Sequence, residues 1–390
     1  MAVETAASSA AGEAGGGIGG FLKRHRRVAG AVLGAAVIFG LFYYVVPQFA
    51  GLDPTLRRLR AGNLWWLGLG VLVEAASIGG DIVLLRGVFA TPGSRIGWKA
   101  SYQITMAGAA ATKLFATAGA GGIALTIWAL RASGLSEDKV ATGLVCFEIL
   151  EYGVYMAALA LVGLGLWFGV FAGSAPVGVT LVPALFGLVV ILIVLSMLVV
   201  EAPVERFLTA RADRSTGRRQ RWWRRVAAVP HSLRSGLTAA IVMVRGRDRS
   251  LLGALAGWGF DIAALWASFR AFGHSPPPAV LVMGYYVGTL GNALPLPGGI
   301  GGVEGGMIGA FLAFGVNGPL TVLAVLAYRT ISYWLPTVPG AIAYIRLRGT
   351  VNGWRSQPAG PAGSRPSAAQ LRAQSPALLD SPSCTHDRAS

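Results

Sequence analysis

The sequence predicts an all-α polytopic membrane protein, an inverted repeat with about six spanning helices and two re-entrant helical hairpins. Three observations lead there. Hydrophobic residues make up 54% of the 390-residue chain and charged residues only 13%, with a mean hydropathy of +0.59. Several apolar runs are long enough to cross a bilayer, and two more are broken by glycine or proline. Short motifs recur at an offset of about 180 residues, in the same order along both halves.

The elements follow in order. Residues 1–22 are rich in Ala, Gly and Ser and are expected to be disordered. Lys23-Arg24-His25-Arg26-Arg27 precedes an apolar run from Val28 to Val46. That run is long and no small-x-small site follows it, so an uncleaved first span is expected rather than a signal peptide. Further spans are expected at about 64–88, 138–169, 178–201, 251–272 and 319–346. Two apolar regions, about 98–131 and 278–316, are interrupted by Ala118-Gly119-Ala120-Gly121-Gly122 and by the Pro/Gly stretch from Asn292 to Gly306. The transmembrane domain thus covers 23–348, with repeat one at about 64–169 and repeat two at about 251–346. The tail 349–390 is Pro-, Ser-, Ala- and Arg-rich and is expected to be disordered, too short for a soluble catalytic domain.

Charge sets the orientation. The segment 204–250 is dense in arginine, from Arg206 to Arg249, and is expected to be a cytoplasmic loop. With a cytoplasmic N-terminus this requires region 98–131 to cross an even number of times, which a hairpin does. A second hairpin at 278–316 returns Arg346 and Arg348 to the cytoplasm, so a multi-pass protein of the cell membrane with both termini cytoplasmic is expected. Arg57-Arg58-Leu59-Arg60 dissents and would fall outside. The net charge of +16 then reads as orientation and contact with anionic headgroups, not nucleic-acid binding. Trp222-Trp223 within the arginine run suggests an amphipathic element on the inner leaflet.

The repeat rests on three matches. Asp81-Ile82 to Phe89 resembles Asp261-Ile262 to Phe272; Gly121-Gly122-Ile123 echoes Gly298-Gly299-Ile300; and Phe147-Glu148 to Tyr152 echoes Tyr328-Arg329 to Tyr333. Inverted repeats with broken segments in corresponding places point to a transporter site near the midplane.

The motif Leu294-Pro295-Leu296-Pro297-Gly298-Gly299-Ile300-Gly301-Gly302-Val303-Glu304, followed by Tyr328-Arg329-Thr330-Ile331-Ser332-Tyr333, resembles the flippase-like membrane proteins. That family is related to the transmembrane domain of lysylphosphatidylglycerol synthase. The resemblance covers roughly 25–348 and implies a role in moving lipids or polyprenyl-linked lipids across the bilayer. The aminoacyl-transfer domain of the synthase is not part of the pattern, so aminoacylation is not implied. The first-half counterpart, from Lys113 to Ala124, lacks the proline and the acidic residue of the second.

The candidate substrate-binding or gating residues are Lys113, Gly121, Gly122, Glu148, Glu151, Asn292, Pro295, Pro297, Gly298, Gly299, Glu304 and Arg329. Glu304 is expected near the start of a helix over 303–314, as a cap or as a carboxylate that couples transport. Arg329, inside the last span, needs a partner, and Glu148, Glu151 and Glu304 are the candidates. Glu148 and Glu151 share a helix face at i, i+3 and are fit to carry protons. Lys113 either meets a lipid phosphate or serves as counter-ion to Asp81 or Glu74. Asp81, Arg86, Asp261 and Arg270 are placed toward span ends, with interfacial pairing as the default. Two cysteines and four scattered histidines give no disulfide framework and no metal or other cofactor site, and no enzymatic assembly is recognised. The expected partners are membrane lipids with anionic headgroups; homo-oligomerisation is left open. A transporter of a small soluble anion and a scaffold recruiting partners through 204–250 are the alternatives.

Overall fold

The computed structural model describes residues 62–90, 94–114, 120–293 and 299–356. The chain divides into one unit up to Gly62 and a second from Asn63 onward, and everything below concerns the second. The first apolar run, Arg57–Arg60, both tails, Pro295, Pro297 and Gly298 lie outside the described residues. Among the described residues the chain is helical, with no strand.

The first half holds α1 (Leu64–Phe89), α2 (Trp98–Leu114), α3 (Ala120–Ala132) and α4 (Glu137–Trp167). Next come α5 (Leu181–Asp213) and α6 (Gly217–Arg245). The last part holds α7 (Leu251–Phe272), α8 (Pro278–Thr289), α9 (Gly302–Ala313), α10 (Gly318–Arg329), a π turn (Thr330–Trp334) and α11 (Leu335–Ser356). Local chemistry explains the starts. The Asn63 side chain accepts from the Trp65 amide at 3.0 Å and Asn317 from the Leu320 amide at 3.1 Å, while Pro278 occupies the first turn of α8.

Among the described residues, four helices are long and apolar enough to cross a membrane: α1, α4, α7 and the stretch Val177–Asp213 that contains α5. α5 is the most peripheral of them. It leaves Val182, Leu192, Ile193 and Val199 more than half exposed, as a lipid-facing helix does. The stretch 204–250, expected as a loop, is largely helix and packs back on the bundle. Buried Glu201 of α5 receives Arg234 and His231 of α6, and Gly236 of α6 lies against Val145 and Cys146 of α4. The span expected at 319–346 is a helix interrupted at Thr330–Trp334.

The tightest packing joins α1 and α7. Glycine makes it possible, because small residues let membrane helices approach backbone to backbone. A Cβ at Gly80 would lie 2.6 Å from the Gly253 carbonyl oxygen and 2.6 Å from the Gly257 nitrogen; one at Gly253 would meet the Gly80 oxygen at 2.5 Å. Ser77 donates its hydroxyl to the Gly257 carbonyl at 2.7 Å across the same seam. Each broken region is also a glycine-packed pair. Gly284 of α8 faces Phe311 of α9, Gly288 faces Met307, and Gly291 faces Gly302.

Gly80→Ala is therefore expected to cost about 1–3 kcal/mol, since backbone on both sides leaves nothing to give. Gly68→Ala, with open space around its Cβ, is expected to be neutral. Thermal unfolding in mild detergent checks both.

Candidate functional site

The second broken region ends at a carboxylate with two partners. Gly299 and Gly301 have φ of +68° and +83°, which favour glycine, and turn the chain into α9. One Glu304 oxygen accepts from the Gly301 amide at 2.7 Å, as a cap. The other accepts from Arg329 Nε at 2.7 Å in a largely buried ion pair. The cap and the arginine partner, read from sequence as alternatives, are both present. The Arg329 guanidinium stands 4.6 Å from the Tyr333 ring centroid. Asn292 closes the same turn, because a Cβ on Gly299 would collide with its side-chain oxygen.

The first broken region meets this one through the π turn. Lys113 Nζ, at the end of α2, donates to the Ser332 carbonyl at 2.7 Å, and Tyr333 donates its hydroxyl to the Lys113 carbonyl at 2.8 Å. A π turn offsets the helical ladder, which leaves the Ser332 carbonyl available. Lys113 also lies in the electrostatic field of Glu74, Asp261 and Asp81; its ammonium bonds to a backbone carbonyl, which decides between neither of its two expected roles. Gly121 and Gly122, expected in the break, instead open α3, where Gly122 packs against Gly108 and Thr112 of α2.

Further inside, Asp261 sits at the middle of α7 rather than at a span end, because α7 runs the full length from Leu251 to Phe272. Its carboxylate accepts from Tyr285 at 2.6 Å and from Tyr328 at 2.8 Å. Glu74 of α1 is 7% exposed, and its Oε2 has no hydrogen-bond partner. Asp81 is likewise internal: it rests against Gly257, where any side chain would displace it. Arg86 and Arg270 do lie toward helix ends, over Trp98 and over Trp66 and Trp266.

Asp81, Glu148 and Glu151 line one cavity of about 280 Å³, bounded by α1, α2, α3, α4 and Trp258. Thr105, Thr112 and Thr126 add hydroxyls to its wall. No lysine or arginine is found among its described lining residues. Ile123, Leu144, Glu148 and Tyr152 also border a second space of about 610 Å³, an apolar groove between α4, α5 and α6. Polar cavity and apolar groove are thus neighbours with a shared wall.

Against known proteins, a family model described as the lysylphosphatidylglycerol synthase TM region matches residues 31–340. The chain belongs to this family. Three matches to proteins described as UPF0104 membrane protein, from Methanothermobacter thermautotrophicus, accompany it. One is 39% identical over 89 residues, covering 23% of this chain and 25% of the relative. Another is 27% identical over 207 residues, covering 49% of this chain and 57% of the relative. The chain spans between a quarter and somewhat over half the length of the relatives it matches.

Within this family fold, the structure brings Lys113, Asn292, Gly299, Glu304 and Arg329 to the broken regions, and Gly122, Glu148 and Glu151 to the cavity. It pairs Arg329 with Glu304 of its own half, not with Glu148 or Glu151 across the halves, because α9 and α10 are adjacent antiparallel neighbours. Sequence reasoning gave little weight to Asp81 and Asp261 and passed over Tyr285. Their signal was an acidic residue well inside an apolar run, which at that depth marks function by default.

A double-mutant cycle on Glu304→Gln and Arg329→Gln should give a coupling of about 0.5–3 kcal/mol, because each single change strands a partly buried charge. The two Tm losses in detergent, compared with that of the double variant, measure it.

Proposed function

We propose that the protein translocates a lipid between leaflets, with the headgroup in the Asp81–Glu148–Glu151 cavity and acyl chains in the groove beside it. The observation that carries this reading is the shared wall. A polar chamber opening beside an apolar trough of about 610 Å³ suits an amphiphile, and a small soluble ion needs no such trough. The family match to the membrane region of a lipid-modifying synthase supports a lipid over a soluble substrate.

The cavity refines the headgroup. Carboxylates and threonine hydroxyls accept hydrogen bonds, so the matching headgroup presents hydroxyl or amine donors beyond its phosphate. This shifts the reading away from a bare phosphate received by Lys113 and Arg329, both of which have protein partners.

The translocating frame we propose is an inverted repeat. α1 to α4 and α7 to α11 share one succession: long helix, broken pair, long helix. The Ser77–Gly257 hydrogen bond spans 180 residues, the repeat offset itself, as expected for a contact on the pseudo-two-fold axis. The arms α2, α3, α8 and α9 have 17, 13, 12 and 12 residues and reach about 18–26 Å, short of a hydrocarbon core of about 30 Å. Arms of that length suit re-entrant hairpins, and with the run at 28–46 the count of spans comes to about six in the cell membrane. Both termini would then be cytoplasmic.

Mass spectrometry of lipid retained in mild detergent tests the reading. The wild type should hold one lipid class enriched over the bulk membrane. Ala157→Trp, which fills the groove, and the pair Glu148→Gln with Glu151→Gln should each lose it while still inserting. Only bulk lipid in the wild type, together with uptake of a soluble anion, would favour the soluble-substrate alternative.

A further inference from the structure

α5 outruns the bilayer. Its apolar stretch from Leu181 to Val200 measures about 30 Å, the thickness of a hydrocarbon core, and charge begins at Glu201. There Arg234 and His231 of α6 reach the Glu201 carboxylate, His231 at 3.2 Å. Beyond this clamp the end of α5 and the start of α6 continue as a helical arm over 204–229, with Pro203 and Pro230 at its base. A proline inside a helix removes a backbone hydrogen bond and bends the axis, so the arm can lie along the membrane instead of standing off it. Its side chains suit that position. Phe207, Trp222 and Val229 are half exposed or more. Eight arginines against two acids, Glu205 and Asp213, leave 204–229 with a net charge of +6. Exposed apolar groups interleaved with cations are what a helix needs to rest on an anionic lipid surface.

At the bend of the arm these groups close around a cavity of about 540 Å³, lined by Arg211, Ser215, Arg219, Trp222 and Trp223, with no carboxylate among its described lining residues. The Arg211 guanidinium stands 5.3 Å from the Trp223 ring centroid, and the two indoles meet edge to face at 4.6 Å. Ser215 donates its hydroxyl to the Arg211 carbonyl at 2.8 Å, and Gly217, with φ of +63°, turns the chain into α6. Neither a side-chain bond from Thr216 nor an acidic residue in the first turn covers the amino end of α6, so its amides and dipole add to the positive field beside the cavity.

We propose that this cavity holds the phosphate of an anionic phospholipid from the leaflet that the arm meets, as a lipid site separate from the translocation cavity. Arg211 and Arg219 pair with the phosphate oxygens, and Trp222 rests at headgroup level, where indoles favour the interface. A soluble phosphate ester offers the arginines the same chemistry but leaves Phe207, Trp222 and Val229 without apolar contact, whereas a bilayer supplies both. The site shares no residue with the Asp81–Glu148–Glu151 cavity and stands whether or not the protein moves lipid.

Hydrogen–deuterium exchange of the full chain in nanodiscs tests the site. Exchange over 204–229 should be slower in phosphatidylcholine mixed with phosphatidylglycerol than in phosphatidylcholine alone. The pair Arg211→Gln with Arg219→Gln should weaken that protection by about fivefold for each arginine removed. The pair Arg214→Gln with Arg221→Gln takes the same charge from exposed positions outside the cavity and should weaken it less. Trp222→Ala, at a position 55% exposed on which the fold does not rest, should also lose part of the protection. Exchange over α1 and α7 should match the wild type in every variant, which reports an intact bundle. Equal exchange over 204–229 in the two bilayers overturns the proposal. Equal losses in the two arginine pairs overturn the cavity in favour of diffuse surface charge. Protection by glycerol 3-phosphate added to phosphatidylcholine nanodiscs, as large as that by phosphatidylglycerol, overturns the lipid and assigns the cavity to a soluble phosphate ester.

Discussion

The close approach of α1 and α7 is the constraint on which the rest depends. Lipid offers no hydrophobic drive between helices, so such a seam is held by van der Waals contact and by hydrogen bonds that only small residues permit. Gly80, Gly253 and Gly257 supply the room, and Ser77 closes it with a bond to the Gly257 carbonyl. The same seam carries three acidic residues, Glu74, Asp81 and Asp261, into the interior. Each could persist there only with a partner, a proton or a polar space. The structure provides two tyrosines for Asp261 and a cavity for Asp81, while Glu74 is buried with its Oε2 unpartnered.

Around this seam the two broken regions do complementary jobs. Both leave backbone groups that hydrocarbon could not satisfy, and both are capped within protein. In the second, Glu304 takes the Gly301 amide and Arg329 at once, which fixes the entry of α9 and neutralises an arginine at the end of α10. In the first, the Lys113 carbonyl and ammonium are both tied to the π turn. The broken regions are therefore joined by α10 and its π turn.

Much of the helical frame was legible from residues. The long apolar runs mark α1, α4 and α7 nearly to the residue, since bilayer thickness imposes their length. The Gly-rich break and the Pro/Gly break mark where α2 gives way to α3 and α8 to α9, and Glu304 stands out as one carboxylate in an apolar stretch. The segment 204–250 was less legible. Arginine density argues for orientation and says little of conformation, so the helix α6 and its anchor at Glu201 went unread. Arg329 illustrates the limit at the site: the sequence demanded a partner, and three glutamates met the demand equally.

By itself, the sequence determined that this is a helical membrane protein of the lysylphosphatidylglycerol synthase transmembrane family, with two interrupted segments and charges buried in apolar runs. The family rests on its motifs and the family match; the helical, interrupted and charged character follows from composition and chain-local periodicity, which solvent and bilayer act on directly. Only the tertiary structure decided which charges meet. Glu304 finds Arg329, Asp261 finds Tyr285 and Tyr328, and Asp81 joins Glu148 and Glu151 around one cavity. Such encounters depend on helix rotation and crossing, which are set by glycine contacts among helices far apart in the chain.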